Sequence, residues 1–303
     1  MKKYFNNIRT LAALLMAGAA FVACSSDDSI NENQQPGQNP TGEYSLTIKA
    51  SKGSKALTRA LSPSGSTLNA TWKTGEKVKV YQVTSDIGSD SETYTNVGTL
   101  TAQVSGEADE ADEAILSGTL YGDIVEGNNL ALFFNSNNGV LDYTGQTGTL
   151  DGIASKYDYA TAFVTVAGVA GGTITIENGG DYEDFVPFDN QQAIVKFTLM
   201  NGDNNLSASK LTLQDANDNI FQRYNVNGDG SDEKGALTIT HSTAGNVFYV
   251  AIRTEEDDYT LKPSSLNLTL TAETENGNYT YTKNNVAFEN GKYYEITVKM
   301  TKK

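Results

Sequence analysis

Short β-strand patterns separated by turn-forming clusters run along most of the chain and constrain its fold more than any other feature. The Asn-Gly and Asp-Gly pairs in these clusters favour tight hairpins. The clusters are Asn201-Gly202-Asp203, Asn227-Gly228-Asp229-Gly230, Asn276-Gly277 and Asn290-Gly291. No long stretch repeats its apolar residues at a helical period, and only one short helix is predicted, at Leu150–Tyr157. These patterns predict an all-β protein built from antiparallel β-sandwiches.

Branched and aromatic residues, which fit a pleated sheet, concentrate between the turns. The predicted strands are Tyr44–Ala50, Lys77–Thr84, Asn129–Phe134, Ala160–Val166, Gly172–Glu177, Ala193–Leu199, Lys210–Gln214, Ala236–Thr240, Val247–Arg253, Ser265–Glu273, Asn278–Thr282 and Tyr293–Lys299. The acidic, proline-containing loop Asp181–Gln192 interrupts this series and is the best domain boundary. We therefore expect an N-terminal β-sandwich domain over residues 44–188 and a C-terminal one over residues 189–303.

The amino terminus is typical of an exported bacterial lipoprotein. A basic head is followed by the apolar stretch Leu11–Val22, which is too short for a permanent membrane span. The exit Phe21-Val22-Ala23-Cys24 resembles a lipobox, and Cys24 is the only cysteine in the chain. We predict that residues 1–23 are a lipoprotein signal peptide and that Cys24 carries the lipid. The alternative is an ordinary cleaved signal with a chance cysteine.

The segment after Cys24 is polar up to the first strand. Residues 24–43 contain too few apolar side chains to form a core, so they are predicted to be a disordered tether. The chain has a formal net charge of −15, and removing the basic signal peptide makes it more negative. This charge disfavours binding to nucleic acid. A chain with one cysteine also forms no internal disulfide.

Several segments, taken in order, resemble one known family. They are Thr58-Arg59-Ala60, the Trp-x-x-Gly-Glu-x-Val-x-Val pattern of Trp72–Val80, Tyr143–Leu150 followed by Tyr157-Asp158-Tyr159, Phe248–Ile252, and Glu289–Val298. Together they span nearly the whole exported chain. In this order they resemble the fimbrillin family, the subunits of type V pili in Bacteroidales.

The resemblance implies two transthyretin-like β-sandwich domains and a structural role without a cofactor. Such pilins reach the outer membrane as lipid-anchored precursors and end in an extracellular fimbrium that supports adhesion. An arginine-specific protease cuts a loop of the first domain and releases the first strand with its lipid. A strand from another copy or a related pilin then fills the groove.

Three segments of this chain meet those requirements. Tyr44–Ala50 alternates and is the candidate for the removable strand. The loop Ser51–Ser66 follows it and contains Arg59 as its only arginine, so cleavage is predicted between Arg59 and Ala60. The alternative is that Arg59 is a solvated loop charge, since Lys52 and Lys55 are also open to trypsin-like enzymes.

The last strand is the candidate donor. Its apolar residues Tyr294, Ile296, Val298 and Met300 alternate with Glu295, Thr297 and Lys299. An alternating strand of this kind can pair along an open sheet edge and place its side chains in pockets. The alternative is that this strand simply closes the second domain.

No pattern of an enzyme or a metal site accompanies these segments. His241 is the only histidine, and neither a Gly-x-Ser-x-Gly nor a His-Glu-x-x-His motif is present. The run Glu107, Asp109, Glu110, Asp112 and Glu113 is interpreted as a solvated acidic loop. The rival function is a permanently lipid-anchored surface protein that binds glycans or another ligand. A pilus anchor subunit that keeps its lipid lies between the two.

Overall fold

The computed structural model describes residues 42–52, 62–64, 67–69, 71–85, 92–105, 110–136, 139–177, 185–226, 231–256 and 262–303. Most of them lie in strands and the single helix among them is short, which confirms the all-β class. The described part of the chain has no helix long and apolar enough to cross a membrane.

Within its described residues, the first half of the chain contains thirteen strands and one helix. They are β1 (Glu43–Lys52), β2 (Ser62–Ser64), β3 (Thr67–Asn69), β4 (Trp72–Lys73), β5 (Lys77–Ser85), β6 (Glu92–Gln103), β7 (Glu110–Ala111), β8 (Glu113–Tyr121), β9 (Asn129–Phe134), β10 (Val140–Asp142), α1 (Leu150–Lys156), β11 (Ala160–Ala170), β12 (Thr173–Ile176) and β13 (Val186–Asn190).

The described part of the second half contains eleven strands. They are β14 (Ala193–Asn201), β15 (Asn204–Asn205), β16 (Ala208–Asp215), β17 (Phe221–Asn225), β18 (Glu233–Lys234), β19 (Leu237–Gly245), β20 (Val247–Ile252), β21 (Leu266–Thr274), β22 (Gly277–Val286), β23 (Tyr293–Lys299) and β24 (Thr301–Lys302).

The N-terminal sheet has eight strands in the order β12-β1-β13-β11-β9-β5-β6-β8, and β1 also pairs with β8. This last pairing closes the sheet into a ring around a core. The core contains Leu46 from β1, Leu116 from β8 and Phe188 from β13, together with Trp72. Trp72 is fully buried and packs edge-on against the rings of Phe134 and Phe188. Strand β1 therefore completes both the ring and its core.

Strands β5 and β9 of this sheet bury side chains on both faces. On β9, Leu132 points into the ring core, whereas Phe133 belongs to a second cluster of buried residues. On β5, Val78 and Tyr81 divide in the same way. The second cluster also contains Phe197 and other residues of the C-terminal half. Its members thus come from both sides of the predicted boundary, and the division at residues 188 and 189 stays a prediction.

The C-terminal half is built from two facing sheets. One places β14 between β20 and β23 and adds β15 at the end of β14. The other has the order β19-β16-β21-β22-β24. Buried Phe197, Phe248 and Leu270 belong to the core between them. The pairing of β14 with β23 is parallel, and so is that of β1 with β12 and β13. The remaining strand pairs of the described sheets are antiparallel.

Every predicted strand overlaps an observed one, and the predicted helix is confirmed. Thr149 caps that helix, since its hydroxyl accepts a hydrogen bond from the backbone N–H of Gly152. The prediction of a loop at Asp181–Gln192 was partly wrong, because Val186–Asn190 forms β13. The acidic-loop interpretation was also partly wrong. Glu110 lies in β7, which pairs with β4, and Glu113 begins β8, whereas Glu107 and Asp109 lie outside the described residues.

Candidate functional site

Strand β1 has the alternation expected of a removable strand. Leu46, Ile48 and Ala50 are buried, with at most 4% of each exposed, whereas Thr47 and Lys49 face solvent. The prediction of one apolar face for Tyr44–Ala50 is therefore confirmed. This face contributes directly to the ring core.

Main-chain pairing holds β1 on both sides. It runs antiparallel to β8 from Glu43 to Ser51. On the other side it pairs in parallel with β12 at Ser45 and Leu46, and then with β13 from Ala50 to Lys52. Removing β1 would open an apolar slot between β8 and the β12/β13 pair, and hydrogen-bonding groups on both walls would lose their partners.

The two processing predictions fall outside the described residues. Cys24 lies before the first described residue, and the described part of β1 ends at Lys52, before Arg59 and Ala60. Lipidation at Cys24 and cleavage between Arg59 and Ala60 stay predictions.

The other arginines of the chain have defined places. Besides Arg59 and Arg9, the chain contains Arg223 and Arg253. Arg223 lies in β17 and forms ion pairs with Glu233 and Asp142. Arg253 is 5% exposed, and its guanidinium donates to the backbone and side-chain oxygens of Gln191 at 2.9 and 3.0 Å. Arg223 lies in a strand that is paired on both sides, and Arg253 is buried, so neither is presented as the unpaired, accessible segment that a protease needs.

The candidate donor strand β23 lies in a sheet of its own half. It pairs with β14 in parallel from Tyr293 to Lys299. Val298 and Met300 are buried, whereas Tyr294 and Ile296 are half-buried and pack against the second core cluster. All four donor candidates thus contribute to this core.

The chain crosses between the two facing sheets directly after β23. The backbone N–H of Met300 donates to the carbonyl of Met200 in the first sheet, at 2.8 Å. Thr301 and Lys302 then pair with β22 in the second sheet. Donation of β23 would have to break pairings in both sheets.

The polar face of β23 is also held in place. The Tyr293 hydroxyl donates to Glu295 at 2.8 Å, and the Lys196 ammonium lies 3.4 Å from the same carboxylate. The hydrogen bond from Tyr293 and then the positive charge of Lys196 lower the pKa of Glu295. Because Glu295 is exposed, these contacts contribute little stability.

A loop from the first half covers an edge of the C-terminal sandwich. We call residues 143–149 the Gln146 clasp. The buried Gln146 side chain accepts from the backbone N–H of Ala251 and donates to its carbonyl, both at 2.8 Å. The clasp also accepts hydrogen bonds from the backbone N–H groups of Thr240 in β19 and Tyr249 in β20. One side-chain amide therefore takes the place of a neighbouring strand at an exposed edge.

Packing against the clasp accounts for the position of His241, the only histidine in the chain. A Cβ atom at Gly148 would lie 2.3 Å from Nε2 of His241, and the His241 ring packs on Phe248 with 4.0 Å between centroids. Within the described part of the chain, no group of three or more His, Cys, Asp or Glu residues is arranged to hold a metal ion. The position of His241 is that of a packing residue beneath the loop.

No protein-family model matches the chain, and no curated protein matches it. Among solved structures, it is similar to a candidate cell adhesion protein from Bacteroides ovatus, with 16% identity over 84% of this chain and 94% of that one, at a TM-score of 0.44. It is also similar to the tip fimbrial protein Mfa3 from Porphyromonas gingivalis, with 12% identity over 85% of this chain and 95% of that one, at a TM-score of 0.42. A fimbrial assembly protein from Parabacteroides distasonis is similar with 14% identity over 85% of this chain and 90% of that one, at a TM-score of 0.41.

Proposed function

We propose that the protein is a structural subunit of a type V pilus that is displayed on the cell surface and polymerises by strand exchange. The observation that carries this proposal is the position of β1. One complete strand, located at the start of the described fold, fills a slot between two others and supplies apolar side chains to the core. The family motifs are consistent with this role, and similar solved structures include proteins named as fimbrial.

Energetics explain why an emptied slot would capture another strand. Leu46 and Ile48 each contribute roughly 1.5–3 kcal/mol by burial. Each buried main-chain group left without a partner costs about 1–3 kcal/mol more. With β1 removed, the walls of the slot gain most from a new strand that has one apolar face. A strand from another copy or a related pilin meets that requirement.

The candidate donor is β23, with Tyr294, Ile296, Val298 and Met300 facing the slot of the neighbour. Its pairing with β14 and the anchoring of β24 oppose release. Exchange therefore requires that the pairing gained in the neighbouring slot exceeds the pairing lost at home. The lipid on Cys24 would keep the precursor at the outer membrane until cleavage after Arg59 releases β1 and the lipid together.

Arginine-specific digestion of the folded precursor tests the proposal. The expected product is a stable core that begins at Ala60 and forms ladders of oligomers on a denaturing gel without heating. Edman sequencing identifies the new terminus, and an Arg59→Ala variant is the matched control that stays uncut and monomeric. A core that begins at Ala60 but remains monomeric would contradict polymerisation by strand exchange. A variant that still assembles would exclude Arg59 as the processing site.

A further inference from the structure

A cleft of about 810 Å³ lies between the N-terminal sheet and helix α1, away from β1 and β23. One wall consists of Lys77 and Lys79 of β5, and the floor is formed by Phe133 and Phe134 at the end of β9 and by Asn135 and Ser136 directly after it. The opposite wall contains Asp151 and Ser155 of the helix. The volume falls within the range of small-ligand sites, roughly 300–1,000 Å³.

Lysines line this cleft although the protein as a whole is acidic. Lys77 and Lys79 alternate with buried Val78 and Val80, so both lysines project from the outer face of β5. The Lys77 ammonium donates to the Thr101 hydroxyl at 2.6 Å. Neither lysine forms an ion pair with a carboxylate in the described part of the chain. The ammonium groups of Lys77 and Lys79 are thus available to an anionic group in the cleft, which Lys73 also lines.

Ser136 provides the second observation. Its side chain is 6% exposed, and its hydroxyl oxygen has no hydrogen-bond partner, yet the residue lines the cleft. Buried hydroxyls normally have a partner, and an exception calls for an explanation. The preceding Asn135 has a φ of 62°, which is uncommon for a residue other than glycine. Its amide donates to the carbonyl of Asp158 at 3.4 Å and helps hold this turn.

We propose that the cleft binds an acidic saccharide of the uronic acid class. The carboxylate would pair with Lys77 and Lys79, and a ring hydroxyl would satisfy Ser136. The rim carboxylates Glu76 and Asp151 can accept hydrogen bonds from further hydroxyls. These same carboxylates repel ligands with several negative charges, such as phosphates or polyacidic peptides. A singly charged, hydroxyl-rich ring fits this mixture of charges best.

This inference adds receptor binding to the structural role and does not depend on strand exchange. The cleft contains no residue of β1 or β23, so the uncut precursor carries it intact. The two proposals can therefore fail separately. A protein that polymerises but binds no saccharide would contradict only this inference, and one that binds saccharide but never polymerises would contradict only the proposed function.

Calorimetric titration of the purified protein with galacturonate, and with galactose as the neutral control, tests the inference. We expect one galacturonate per chain, weaker affinity at higher salt, and no heat from galactose. A Lys77→Gln/Lys79→Gln double variant should lose at least about tenfold in affinity, because the two lysines that would pair with the carboxylate are removed. A Lys283→Gln variant, which removes an exposed charge on β22, should bind like the parent.

A Ser136→Ala variant separates binding from folding. Its affinity should fall by about three- to tenfold, while its melting temperature stays the same or rises, because an unpartnered buried hydroxyl is removed. Absence of galacturonate binding would overturn the inference. Equal binding of galactose, stronger binding of triglutamate, or unchanged affinity in the lysine and serine variants would also overturn it.

Discussion

Replacing Ile48 by aspartate is expected to lower the free energy of unfolding of the N-terminal sheet by at least about 4 kcal/mol. Ile48 is 4% exposed and lies opposite Leu116 of β8 in the ring core. The change removes a buried aliphatic side chain, which costs about 2–5 kcal/mol, and places a carboxylate where the described core has no cation. A typical domain has only about 5–15 kcal/mol of stability.

The chain contains a built-in probe for this measurement. Trp72 is its only tryptophan, is fully buried and belongs to the same core as Ile48. Urea unfolding followed by Trp72 fluorescence therefore reports on the ring itself. Thr47→Asp is the matched control, since it adds the same charge one residue away on the exposed face. Equal stability of the two variants would show that β1 is not integral to the core.

The second large effect is expected at Gly148. Gly148→Ala should lower the free energy of unfolding by about 2–4 kcal/mol. Gly148 has a φ of 73°, where a Cβ atom costs about 1–2 kcal/mol. The new methyl group would also overlap the His241 ring, which is packed on Phe248. Displacing the clasp would uncover the edge strands β19 and β20.

Gly202→Ala isolates the contribution of the overlap. Gly202 has a similar φ of 62°, but a Cβ atom there would have no atom within 4 Å apart from those of its own residue and its two chain neighbours. Its substitution should cost only about 1–2 kcal/mol, the backbone part of the effect. Thermal unfolding followed by circular dichroism compares the two variants. If they lose the same stability, the clasp does not depend on close packing against His241.

Strands with one buried face could be predicted from the sequence alone. In Tyr44–Ala50 the apolar residues alternate without interruption, so the period of two directly indicates which face is buried. Strand β9 was also predicted, although its apolar residues do not alternate and it buries side chains on both faces. Strands β6 and β8 were missed, because polar residues and Gly98 interrupt the apolar alternation in β6, and β8 follows a run of acidic residues.

Long-range contacts could not be predicted. Gln146 pairs with Ala251, which is 105 residues away, and no local pattern marks this partnership. The closure of the sheet through β1 likewise depends on parallel pairing with β12 and β13, which local propensity does not encode. Part of the cleft could be predicted, since Lys77 and Lys79 alternate with valines and therefore share one face of a strand. The sequence does not indicate that Ser136 lies beside them.

Identifying the amino-terminal residue of the subunit in fibres isolated from cells tests the central claim most directly. The protein is proposed to lose β1 and its lipid before it polymerises. Terminal sequencing and mass spectrometry of the assembled subunit should therefore find Ala60 at the start and no lipid. A fibre subunit that still begins at lipidated Cys24, with Tyr44–Ala50 retained, would contradict the account.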